Sequence, residues 1–136
     1  MNLKSLLLPF FLLVAVACGR ERGPQNVAER FLSAYLECRY TDAEPLASAE
    51  AMEQMRWRLS QLTQAEVELI NDNEPQVSAE EMSEGGDSCV VTLRATDALL
   101  MDSIGLPAHI GDGRFRLILV RESNRNWTVA ALATIP

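Results

Sequence analysis

The sequence predicts an α+β domain, with N-terminal helices packed on one face of an antiparallel β-sheet. Three observations predict it. Apolar residues between 24 and 62 recur at helical spacing. From Gln76 onward they alternate with a period of two. Glu84-Gly85-Gly86-Asp87 and Ser123-Asn124-Arg125-Asn126 punctuate the alternating runs as turns.

The first helix is expected over Pro24–Cys38. Pro24 suits a first helical turn, where its missing N–H costs nothing. Val27, Ala28, Phe31, Leu32, Tyr35 and Leu36 then line one face. After the turn Tyr40-Thr41-Asp42, the spacing of Thr41 and Glu44 matches a capping box. It predicts a short helix from Asp42 to Ala47. Ser48 caps a third helix, whose stripe is Met52, Met55, Leu59 and Leu62. Thr63 and Glu66 form a second capping box, so the chain breaks or bends there. Val67, Leu69 and Ile70 fit either a last helical turn or an extended exit, and Asn71–Pro75 reads as a loop. Gln76–Ser83 is expected as a strand. Ser88–Thr96 is a second, with Cys89, Val91, Leu93 and Ala95 on one face. Arg114–Glu122 is a third, around Phe115, Leu117 and Leu119, and Trp127–Ile135 is the last. The stretch Asp97–Gly113 mixes helical, Gly-Pro and Asp-Gly signals and is left as a connection that includes His109 in a loop.

These residues resemble a known family. PQNVAERFLSAYLECRYTDAEPLAS is similar to the opening helix-turn-helix of the nuclear transport factor 2-like superfamily. FRLILVRESNRNWTVAAL resembles that family's last hairpin, where a Trp opens the final strand. The nearest resemblance is to small bacterial lipoproteins of the superfamily that carry a domain of unknown function. It implies N-terminal helices packed on a curved antiparallel β-sheet, a cone whose mouth can be a pocket, with Asp, His or Tyr inside it in enzymatic members.

The leader carries an address. Lys4 precedes the uncharged stretch Ser5–Ala17, an apolar core of the kind found in secretory signals. As a helix, Leu6–Ala17 would be about 18 Å long, against the roughly 30 Å of a bilayer core. Ala15-Val16-Ala17 fits a small-x-small cleavage site, so residues 1–17 are expected as a signal peptide. The cut before Cys18 resembles the lipobox of bacterial lipoproteins, with Ala17 as the small residue and Ala15 where Leu is usual. That resemblance implies a lipidated Cys18 with its thiol on diacylglycerol, residues 18–23 as a short tether, and residues 24–136 as one domain. Gly19 in place of aspartate is compatible with the outer membrane, facing the periplasm. An ordinary secreted protein with an unmodified Cys18 is the other reading. With Cys18 acylated, Cys38 and Cys89 are left as a bridged pair or as two buried small hydrophobes.

Composition excludes some functions. The net charge is −7, every positive side chain after Lys4 is an arginine, and no basic stripe runs along any element. Such a chain repels phosphate backbones, and no nucleic-acid partner is expected. There is no His/Cys cluster, EF-hand loop or P-loop, so no metal and no cofactor is expected. Glu80 and Glu81 are neighbours on a strand and point to opposite faces, which suits a solvated surface better than a catalytic dyad.

Three functional readings follow. The first is a non-catalytic binding domain held at the membrane by its lipid, taking an envelope protein or a small apolar ligand. Tyr35 and Trp57 are its candidate contacts. Trp57 lies between two arginines and off the Met52/Met55/Leu59 stripe. The second is a small enzyme of isomerase or dehydratase type, with Asp97, Asp102 or His109 in the cone. The third is a structural envelope subunit acting through Trp57 and the sheet. An acid or His109 facing a closed pocket separates the second from the first.

Overall fold

The computed structural model describes residues 23–101, 108–121 and 126–136. Cys18, where lipidation is expected, lies outside the described residues with the expected signal peptide and Asp102. So does most of the expected turn Ser123–Asn126. In chain order the elements are α1 (Pro24–Leu36), α2 (Tyr40–Ala43), a 3-10 turn (Glu44–Leu46), α3 (Ala49–Gln61) and α4 (Gln64–Asn73). The strands β1 (Gln76–Gly85), β2 (Ser88–Leu100), β3 (His109–Arg121) and β4 (Trp127–Ile135) follow. They form one antiparallel meander in the order β1-β2-β3-β4. None of the described helices is long and apolar enough to cross a membrane.

Helix α1 begins at Pro24 and ends at Leu36, two residues before the expected Cys38. Cys38 adopts φ 60°, in the left-handed region. Its N–H donates to Tyr35 O and that of Arg39 donates to Ala34 O, which is the Schellman closure of a helix with Cys in the position usually taken by Gly. The Arg39 guanidinium then bridges Glu37 and Asp42, each at 2.7 Å, and ties the exit turn down. This closure makes Arg39 the N-cap of α2, so the second helix starts at Tyr40 and the expected Thr41–Glu44 box does not form. Ser48 does cap α3, accepting from Ala51 N at 3.2 Å. The second capping box forms in full and breaks the chain: Glu66 N donates to Thr63 Oγ1 and Thr63 N to Glu66 Oε1. Helix α4 runs to Asn73 and takes up three of the five residues of the expected Asn71–Pro75 loop.

The largest departure lies in the unread connection. A bulge between Ala95 and Ala98, with Asp97 at φ 55°, lets β2 continue to Leu100. Across it β3 starts at His109, which is a strand residue and not a loop residue. The bulge inserts an extra residue and resets the face of each later side chain, which hides the strand from a simple period-two reading. Two more bulges, at Ala79/Glu81 and Ile118/Leu119, add to the bending of the sheet. Glu80 falls at the first and pairs with Arg114 at 3.1 Å on the solvent side.

The core lies between α1 and the sheet. Helix α1 contacts all four strands. Its Phe31, Leu32 and Leu36 are fully buried with Met55 of α3, Val91 and Leu93 of β2, Leu117 and Leu119 of β3 and Val129 of β4. Helix α3 is fastened to the edge strand β4 at two points. Ser48 N donates to Val129 O at 2.9 Å. The Gln54 amide donates to Leu132 O and accepts from Leu132 N, occupying backbone groups that an edge strand would otherwise expose. Because Phe31 is fully buried where helix and sheet meet, Phe31→Ala is expected to cost about 3–5 kcal/mol. A denaturant titration followed by circular dichroism measures it, and a loss below about 1 kcal/mol would place the core elsewhere.

Candidate functional site

One end of the helix–sheet sandwich is left open as a cleft of about 380 Å³. Helix α1 brings Tyr35 to it, and α3 brings Gln54, Trp57 and Arg58. The far end of β2 supplies Leu99 and Leu100, followed by Met101. Strands β3 and β4 add Phe115, Leu132 and Thr134. The volume lies toward the lower end of the roughly 300–1,000 Å³ typical of small-molecule sites, and most of the lining side chains are apolar, with Tyr35, Gln54, Arg58 and Thr134 adding polar groups.

The sequence-derived contacts Tyr35 and Trp57 meet here. Tyr35 is half-buried, stacked near Phe31 with ring centroids 6.1 Å apart. Burial pushes its phenol pKa up, and the nearby Arg58 pulls it partly back. Trp57 is 52% exposed at the rim. That position follows from its place off the buried stripe of α3, as its spacing from Met52 and Met55 implied.

Arg58 was the signal missed. It stands three residues after Met55 and seven after Ala51, so it falls on the buried face of α3, beside the partly buried Leu59. It is only 4% exposed. Its Nη2 donates to Leu99 O at 3.0 Å and reaches Leu36 O at 3.5 Å, while its guanidinium carbon lies 5.2 Å from the Tyr35 ring centroid. The one residue thereby joins α3 to the end of α1 and the end of β2. A charged residue on an apolar stripe was the readable clue.

The enzyme candidates are not gathered. Asp97 is exposed at the bulge of β2. His109 pairs across from Leu100 but is exposed and is not among the cleft's lining side chains. Asp102 lies outside the described residues. No carboxylate or imidazole lines the cleft among the described residues. No group of three or more His, Cys, Asp or Glu that could hold a metal occurs among them either.

The thiols take the unbridged alternative. Cys38 and Cys89 are both free. Cys38 sits beside Arg58, which reaches Leu99 O. Cys89 lies ten residues back along β2, about 30 Å of strand path away. Burial raises both thiol pKa values; Arg58 lowers that of Cys38 in part, and Glu84 adds to the rise at Cys89.

Comparison with known proteins places the fold. No family model matches the chain, and no curated protein matches it in sequence. Solved structures do. A ketosteroid isomerase-like protein from Shewanella frigidimarina superposes with a TM-score of 0.54 at 12% identity, over 81% of this chain and 92% of that one. A nuclear transport factor 2-like superfamily protein from Salmonella enterica serovar Typhimurium superposes with a TM-score of 0.52 at 11% identity, over 82% and 86%. The chain therefore has the nuclear transport factor 2-like cone fold. At these identities the likeness extends to the fold and not to an activity.

A thiol count checks the unbridged state. The Cys18→Ser chain, unfolded in denaturant without reductant, should release two equivalents of chromophore from a disulfide reagent. In the folded state both should react far more slowly, because the thiolate is the attacking species and is disfavoured by burial. Zero equivalents after unfolding would restore the bridge.

Proposed function

We propose that the chain is a membrane-anchored binding module that holds a small, largely apolar molecule in the cleft. The lining of that cleft carries the proposal. Trp57, Leu99, Leu100, Met101, Phe115 and Leu132 offer apolar surface, and no carboxylate or imidazole among the described residues stands there to move a proton. The ketosteroid isomerase-like neighbour shares the fold, but Asp97 and His109 stand away from the cleft in this chain. The anchor rests on the sequence: an apolar leader too short to span, Ala15-Val16-Ala17, and Cys18 at the cut. A lipoprotein cysteine carries at least two acyl chains, enough for stable attachment where one gives only marginal binding. Residues 18–23 would then hold the cleft close to the membrane surface of the cell envelope.

Two experiments test the two halves. A neutral apolar dye, N-phenyl-1-naphthylamine, should brighten on binding the full chain. Trp57→Ala should weaken that binding about tenfold, because a large aromatic at a pocket rim acts as a contact residue. The same change should leave stability within about 0.5 kcal/mol, since the residue is half exposed. Unchanged dye affinity would remove Trp57 from the site. Separately, labelled palmitate should enter the wild-type chain in its own cells and not Cys18→Ser, and equal labelling of both would rule out the anchor.

A further inference from the structure

We propose that the cleft selects a small amphipathic monocarboxylate, with its charged end at Arg58 and its apolar body among Trp57, Leu100, Phe115 and Leu132. This rests on the binding reading above and names the chemistry of the ligand.

Arg58 carries the argument. It is a cation almost wholly removed from water, and no carboxylate pairs with it among the described residues. The arginines that do form ion pairs, Arg39, Arg94, Arg114 and Arg121, are all much more exposed. Burying a charge without a counter-ion is costly, and folded chains ordinarily pair it. Two carbonyl oxygens and one aromatic face meet part of the need. They leave Nε buried without any acceptor. A guanidinium has five N–H donors in one plane; the bonds to the two carbonyls both leave from Nη2, and the Cys38 thiol is only a weak further acceptor beside it. The two acidic groups beside it, Tyr35 and Cys38, have their pKa values raised by burial and remain protonated at neutral pH, so neither supplies an anion. No described residue supplies the missing anion, which a bound ligand would provide.

The surroundings narrow the anion. One buried cation and a neutral phenol suit a single negative charge. The chain's net charge of −7 disfavours a multiply charged ligand at long range. Walls of Leu100, Phe115 and Leu132 require an apolar body, and about 380 Å³ keeps it small. A carboxylate matches the flat guanidinium fork better than a point charge would.

Calorimetric titration of the full chain with octanoate, 1-octanol and octylammonium tests this. Octanoate should bind about tenfold or more tightly than 1-octanol, the size of a charge-assisted hydrogen bond. Octylammonium should bind most weakly, and acetate, which has the charge without the body, should not bind measurably. Arg58→Met should bring octanoate down to the level of 1-octanol while 1-octanol still binds. Replacing a buried charge by a hydrophobe of similar size is often neutral for folding, and retained 1-octanol binding would show an intact cleft. Arg58→Lys keeps the charge and loses the fork, and should fall between wild type and Arg58→Met. It serves if the Met variant does not fold. Equal affinities for octanoate and 1-octanol, or a preference that survives both substitutions, would overturn the carboxylate assignment and leave the apolar cleft standing. Failure of both ligands to bind would overturn the binding reading and this inference together.

Discussion

The fold depends on the seating of α1 across the sheet. A four-stranded antiparallel meander has two faces, and its apolar face must be covered to keep out water. Phe31, Leu32 and Leu36 cover it from one helix that touches every strand. A single helix can do this because the sheet bends. The three bulges contribute to that curvature, as a one-residue insertion kinks a strand. Once α1 is seated, its Schellman exit fixes where α2 starts. Ser48 and Gln54 then fasten α3 against the edge strand β4.

The cleft follows from the same geometry. Helix α1 ends at Leu36, and β2 continues past the bulge to Leu100. The sheet therefore reaches a level where Tyr35, α3 and the far strand ends face one another around open space. Arg58 spans that level by holding Leu99 O and Leu36 O. Its position is both structural and chemical. The carbonyls orient the guanidinium, which brings a positive charge to a cleft lined mainly by apolar side chains.

The helical half was legible because local signals decide it. Ser48 and the Thr63–Glu66 box cap real helices where the spacing says, since a cap acts on the next three backbone N–H groups and needs no distant partner. The end of α1 was less legible, because a left-handed Cys38 is favoured by neither composition nor periodicity. The strands were readable wherever period two held, through Cys89–Ala95 and Phe115–Leu119. At Asp97 the bulge breaks the period. His109, read as a loop residue, turned out to open β3. Of the site, Tyr35 and Trp57 were visible as aromatics in telling places, whereas Arg58 was passed over as a flank of Trp57.

By itself, then, the sequence determined the order of helices and strands, the starts of α1, α3 and α4, the −7 charge and the apolar stretch that ends at Cys18. Each of these is written in neighbours a few residues apart. Tertiary structure decided which residues share the cleft, that Asp97 and His109 stay outside it, and that Cys38 and Cys89 remain apart. It also decided that Arg58 is buried, with no counter-ion among the described residues. These facts depend on the crossing of α1 over the sheet and on the path of β2 through its bulge. That path brings Leu99 to within hydrogen-bond distance of a side chain 41 residues earlier, a proximity that no local spacing encodes.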